Sequence, residues 1–143
     1  MNNKKDRILM CPPDYFTVDY VINPWMAGSE GSMSLALAKK QWQSLRDAIS
    51  EFAEVEEIDP QPELPDMVFT ANAGAVYGNK ALASHFMPHE RRAEEAHFNT
   101  WFRENGFDLH ALDQKIGFDG AGDFLHDRSG PWLCTGYVFR TEI

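Results

Sequence analysis

Short apolar runs that read as strands alternate along this chain with a longer stretch in which apolar residues return every three to four positions. Arg7-Ile8-Leu9-Met10-Cys11 reads as a strand closed by Pro12-Pro13-Asp14, because proline has no N–H to give a ladder. "YFTVDYVINPW" is apolar and β-branched and ends at Asn23-Pro24, as a second strand or an extended loop. From Ser32 the period changes. Leu35, Leu37, Ala38, Trp42, Leu45, Ile49 and Phe52 recur near the helical repeat with Lys39, Lys40, Arg46 and Glu51 between them, which predicts an amphipathic helix starting near Ser32 or Ser34. "EVEEID" then alternates like a strand and runs into the proline-rich connector "PQPELP".

The order repeats. "MVFTANAGAVYG" and "KALASHFM" predict two strands joined by a Gly78-Asn79 turn. Pro88 precedes a helix from about Glu90 to Glu104 with Phe98, Trp101 and Phe102 on its apolar side. Asn105-Gly106 stops it, and "FDLHAL" is the following strand. A third round begins with "FDGAGDFLHD", a turn at Arg128-Ser129-Gly130-Pro131, and "WLCTGYVF". Strand, strand, helix, strand thus appears twice at a spacing of roughly fifty residues, with a third unit cut off where its helix should begin. The fold class is α/β. A strand pair without its covering helix exposes an apolar face and favours association.

A chain of 143 residues, 43% hydrophobic and 24% charged, can bury one core. No stretch approaches the ~18 apolar residues of a membrane span, and "MNNKKDRILMCPP" lacks the apolar region of a signal peptide, so a cytoplasmic protein is expected. The net charge of −9, with both signs mixed along the chain, excludes the concentrated basic face that nucleic acid requires. Cys11 and Cys134 lack CxxC spacing and read as reduced structural thiols. His85, His89, His97, His110 and His126 form no HExxH and no convincing ligand pair, so no metal is expected, and "FDGAGD" fits no phosphate-loop motif; no cofactor is expected.

Each unit sets polar residues beside an apolar run: Asn23 in the first, Asp66 and Asn72 flanking Met67-Val68-Phe69 in the second, Asp119 and Asp123 in the third. Arg91 and Arg92 stand at the start of the second helix, and Arg140 follows the last strand. If these ends converge, carboxylates and an amide suit a planar cation, whose guanidinium carries five donors in a fixed fork, and arginines suit a carboxylate. An amino acid with a guanidino side chain presents both ends at once. Plainer readings exist for the same residues: Asp66 after Pro65 as a turn former, Asn72-Ala73-Gly74 as a bulge, "FDGAGD" as a glycine-rich hairpin, and Arg91-Arg92 among Glu90, Glu94 and Glu95 as a solvated helix face.

Taken together, "LMCPPDYFTVDYVINPWM", "PDMVFTANAG", "HERR", "FDGAGDFL" and "GYVFRT" resemble the N-terminal half of the guanidino-modifying enzymes, the superfamily of arginine deiminase, dimethylarginine dimethylaminohydrolase and amidinotransferase. The resemblance runs from about Arg7 to Thr141, and "INPWM", "FTANAG" and "GAGD" are most similar to the arginine dihydrolase branch. It implies a pentein, an α/β propeller of five ββαβ units, of which about two and a half are present, with residues 1–143 forming the N-terminal portion of a single catalytic domain. It implies hydrolysis of guanidino C–N bonds in arginine or a methylated arginine, with Asp66, Asn72 and Asp119 in the guanidinium pocket and Asn23, Arg91 and Arg140 at the amino-acid end. Asn72 stands where deiminases carry an acid, and Asp119 where much of the family has Glu. The nucleophilic Cys and the general acid/base His of the family would lie beyond Ile143, so no catalytic residue is assigned within the chain. The alternatives are a non-catalytic half-pentein that binds or assembles, as a homo-oligomer or with a complementing C-terminal half, and an amidinotransferase.

Overall fold

The computed structural model describes residues 6–126 and 133–135, and divides at Thr70 into two compact units. In the first unit, β1 (Arg7–Met10) pairs in parallel with β2 (Glu54–Glu57), Arg7 opposite Glu54 and Met10 opposite Glu57. Parallel strands need a crossover, and α1 (Leu35–Ser50) supplies it. Ser34 caps α1 by accepting from Leu37 N–H, the usual task of a serine at that position. Its half-buried residues are Ala38, Trp42, Arg46 and Ile49, while Leu37 and Leu45 are over half exposed. The Arg46 Nε donates to Glu57 and ties the helix to β2, and Arg7 makes a forked pair with Glu56 across the two strands. That fork raises the Arg7 guanidinium above its usual range, chiefly through its hydrogen bond to Glu56.

"YFTVDYVINPW" takes the looped alternative: no regular strand stands between β1 and α1. Met67-Val68-Phe69 departs from expectation, because Pro65–Val68 is a 3₁₀ turn, and Thr70–Asn72 is another. Proline at the first turn position, with its N–H absent and its φ preset, favours that course over a ladder. Phe69 N–H closes the first turn on the Asp66 carbonyl, and the Thr70 hydroxyl donates to the Leu9 carbonyl, which anchors the segment to β1.

In the second unit β3 (Gly74–Tyr77) and β4 (Lys80–Ala83) form the expected hairpin, with Gly78 at positive φ in its two-residue turn. β5 (Asp108–His110) joins β4 in parallel after α2 (Glu94–Glu104), so the strand order is β3-β4-β5. This is the strand, strand, helix, strand unit read from the sequence. The helix begins four residues later than expected, because His89–Arg91 forms a 3₁₀ turn first. Glu94, Phe98 and Phe102, four apart, make its buried stripe. Its C-terminus is a Schellman motif: Gly106 at φ 81° donates to Arg103 O, Phe107 N–H reaches Phe102 O, and the two phenyl rings meet edge to face at 5.4 Å.

The segment Asp119–Asp123 is a further 3₁₀ turn at Gly120–Gly122, after which β6 (Phe124–His126) pairs antiparallel with β7 (Leu133–Thr135). Phe118 and His85 exchange backbone hydrogen bonds of 2.8 Å each way, which pins this segment beside the end of β4. No helix among the described residues is long and apolar enough to cross a membrane.

Gly120 is a point of close backbone approach in the second unit. At φ 54°, a Cβ on it would stand 2.7 Å from Ala71 O and 2.9 Å from the Asn72 carbonyl carbon, so both its conformation and its space demand glycine. A Cβ on Gly122 would meet nothing nearer than the Asn72 amide nitrogen at 3.4 Å. Gly120→Ala is expected to cost about 2–3 kcal/mol, a fall in Tm of roughly 5–10 °C, and Gly122→Ala to stay within about 0.5 kcal/mol. Thermal denaturation followed by circular dichroism checks the pair, and equal losses at the two positions would show that the close approach at Gly120 is not a constraint.

Candidate functional site

The sequence-nominated residues fall in both units. Asn23 and Asp66 belong to the first, Asn72, Arg91 and Asp119 to the second, and Arg140 lies outside the described residues.

In the first unit a 3₁₀ turn, rather than a strand, carries Asp66. Asp66 is only 3% exposed in the turn that Pro65 initiates, and one carboxylate oxygen accepts from the Tyr20 hydroxyl at 2.8 Å. A carboxylate so deeply placed is costly unless it is bonded, and Tyr20 comes from the loop before α1, 46 residues away in sequence. Phe16 from the same loop meets the Phe69 ring edge-on at 5.9 Å. Sequence reading did not single out Tyr20. Its only signal was a tyrosine within an apolar run, which reads as packing. The Asn23 side chain is used locally: its oxygen accepts from the N–H groups of Trp25 and Met26, both at 3.1 Å, in an Asx turn.

In the second unit Asn72 is the centre of a network. Its side-chain nitrogen donates to the Asp119 carbonyl at 3.0 Å, its side-chain oxygen accepts from an Arg91 terminal nitrogen at 3.2 Å, and its own carbonyl accepts from the buried Ser84 hydroxyl. Asp119 turns back on itself, its N–H donating to Asp123 Oδ2 at 2.8 Å, with Asp123 5% exposed. Asn72 of "FTANAG" and Asp119 of "FDGAGD", 47 residues apart, thus meet in one contact.

Arg91 is 6% exposed, so it does not lie on a solvated helix face. Nε and one terminal nitrogen form a fork on Glu94 at 3.1 and 2.8 Å, and the guanidinium carbon sits 4.1 Å from the centre of the Phe86 ring. Glu94 is fully buried. Arg92 turns the other way and donates to the carbonyls of Phe86 and Met87. Glu95 reaches the Phe86 N–H at 2.8 Å and the His85 ring nitrogen. Glu94 was missed as a functional candidate because an acid in the first turn of a helix is ordinarily a dipole or solubility residue.

Cys11 is 1% exposed, with its sulfur 3.6 Å from the Pro12 carbonyl. No three His, Cys, Asp or Glu side chains among the described residues gather as a metal site would require.

No family model matches the chain. Similar proteins are found by direct comparison. The chain is 52% identical over 137 residues to the bifunctional arginine dihydrolase/ornithine cyclodeaminase ArgZ of Synechocystis sp., covering 96% of this chain and 19% of that protein. It is 33% identical to N(G),N(G)-dimethylarginine dimethylaminohydrolase of Mycobacterium tuberculosis, covering 95% of this chain and 44% of that one. The solved N-terminal domain of ArgZ bound to its substrate superposes with a TM-score of 0.90 at 52% identity, over 96% of this chain and 51% of that chain. The chain thus spans about half the length of that domain, as an N-terminal half would, and about a fifth of the bifunctional enzyme. These relatives make the chain a homologue of the arginine dihydrolases and dimethylarginine dimethylaminohydrolases of the guanidino-modifying enzyme superfamily.

Proposed function

We propose that this chain is part of a cytoplasmic hydrolase of guanidino C–N bonds, with arginine or a methylated arginine as substrate, and that it supplies binding groups rather than the nucleophile. On this reading residues 1–143 are the N-terminal portion of a single pentein domain, about two and a half of its five units. The observation that carries the proposal is Asp66: a nearly buried carboxylate held by a tyrosine, in a chain half identical to an arginine dihydrolase. A guanidinium offers donors in a rigid plane and no acceptor, and a fixed carboxylate is the group it pairs with best.

The roles divide by chemistry. Asp66 is assigned to the guanidinium charge, and Asn72 and Asp119, an amide and an acid, are assigned to guanidinium binding by their chemistry. Asn23, Arg91 and Arg140 serve the amino-acid end. The reaction then needs a thiolate to attack the guanidinium carbon, an imidazole to give the leaving ammonia its proton, and water to resolve the covalent intermediate. Cys11, packed against its own loop, does not suit the first task, and we assign the nucleophile and the acid/base to residues outside this sequence.

Two expected outcomes follow. In ¹H–¹⁵N spectra, L-arginine shifts the Asp66 and Asn72 signals of the chain, while L-citrulline, a neutral ureido analogue of the same length, does not. Asp66→Asn abolishes the response, and Tyr20→Phe raises the dissociation constant about tenfold, the worth of one hydrogen bond to a charged group. Identical responses to arginine and citrulline would remove the case for a guanidinium pocket.

Ammonia release from arginine by the chain alone is expected to stay at the level of a blank without protein. Release well above it, persisting after both cysteines are alkylated, would refute the assignment of chemistry to groups outside the chain.

A further inference from the structure

We propose that Glu94 is a positioning residue: it holds Arg91 in the one orientation that fixes the carboxamide of Asn72, oxygen towards the guanidinium and nitrogen towards the Asp119 carbonyl. The inference deepens the proposed site and, as far as substrate is concerned, rests on that reading.

The geometry is a chain of obligatory donors and acceptors. Glu94, at 0% exposure, accepts from Nε and one terminal nitrogen of Arg91, which fixes the plane of the guanidinium as well as its position. The guanidinium carbon lies 4.1 Å from the centre of the Phe86 ring, itself fully buried, which adds a third contact to the fork. The other terminal nitrogen then points at the Asn72 side-chain oxygen, 3.2 Å away. A guanidinium only donates and a backbone carbonyl only accepts. The carboxamide between Arg91 and Asp119 O can therefore satisfy both neighbours in a single orientation, and the reverse would set N–H against N–H and oxygen against oxygen.

The same logic selects the residue type at position 72. An aspartate there would keep its bond to Arg91 but turn its second oxygen on the Asp119 carbonyl, 3.0 Å away, with the Asp119 carboxylate in the same turn. An amide, unlike a carboxylate, serves a donor on one side and an acceptor on the other. Glu94 stands two bonded steps from Asn72, and its charge is what keeps Arg91 aimed.

The test reads the Asn72 carboxamide directly in the chain without ligand. In the wild type a through-hydrogen-bond coupling is expected between Asn72 Nδ2 and the Asp119 carbonyl carbon, with Hδ2 exchanging about tenfold more slowly than exposed carboxamides. Glu94→Gln, which keeps the shape but puts an N–H against the guanidinium, is expected to lose the coupling and bring Hδ2 exchange to the exposed value, while the α2 backbone amides keep their protection. Glu94→Asp, which keeps the charge, restores part of it. If Glu94→Gln does not fold, Arg91→Lys removes the planar fork and is read in the same way. A folded variant of either kind with the Asn72 signals unchanged overturns the proposal, and so does a wild type whose Hδ2 exchanges like any exposed amide. Arginine is added only afterwards. Failure of the wild type to respond to it would count against the proposed function and leave the positioning result standing.

Discussion

The second unit depends on a buried charge. A guanidinium withdrawn from water to 6% exposure is costly, and a carboxylate withdrawn completely is costlier still, so each is tolerated only because the other is there. Attraction between opposite charges would be served by a single contact. The fork of two hydrogen bonds and the aromatic face do more, because they turn a charge pair into a fixed frame. Phe86, which carries the guanidinium on its ring, is held in turn by Glu95 at its N–H and by Arg92 at its carbonyl. Four charged side chains from one short segment thus stabilise one loop from both sides, and the helix that carries Glu94 and Glu95 brings Phe98 and Phe102 to the core along the same face.

Close backbone approach is the second constraint, and it acts with the first. Asn72 can reach the Asp119 carbonyl only if the turn carrying Asp119 lies against the turn carrying Asn72, and Gly120 allows that with a left-handed φ and no side chain. On the strand side Gly74 also has no room for a side chain, since a Cβ there would stand 2.6 Å from Leu82 O. Gly120 is therefore a spatial condition for the hydrogen bond between Asn72 and the Asp119 carbonyl, and Gly74 for the close pairing of β3 with β4.

Much of this was legible in the sequence where a local rule was in force. The β3–β4 hairpin, the exit of α2 at Asn105-Gly106 and the two helices follow from turn chemistry and apolar period, which act over a few residues. The two 3₁₀ turns around Met67-Val68-Phe69 did not follow, because three apolar residues in a row fit a buried strand equally well and the deciding contact, Thr70 on Leu9, spans 61 residues. Asp66, Asn72 and Asp119 stood out by composition, whereas their partners Tyr20 and Glu94 did not, since a tyrosine in an apolar run and a glutamate in a first helical turn are ordinary. Adjacent Arg91 and Arg92 could not be told apart by pattern. Consecutive residues at a helix start project in different directions, and only the packing decides which enters the core.

Asn72 rather than an acid has a consequence for charge. With Glu94 already answering Arg91, a carboxylate at position 72 would add a second negative charge to one guanidinium and turn an anionic edge on the Asp119 carbonyl. The amide avoids both, and it leaves the acids in the network to separate tasks: Glu94 to orient Arg91, and Asp123 to close the turn on the Asp119 N–H. Buried negative groups are tolerated when they are fixed and few, because each further buried acid has to be either neutralised by a local base or protonated. A network that sets one glutamate against one arginine and bridges the remaining gap with an amide keeps the buried charge low.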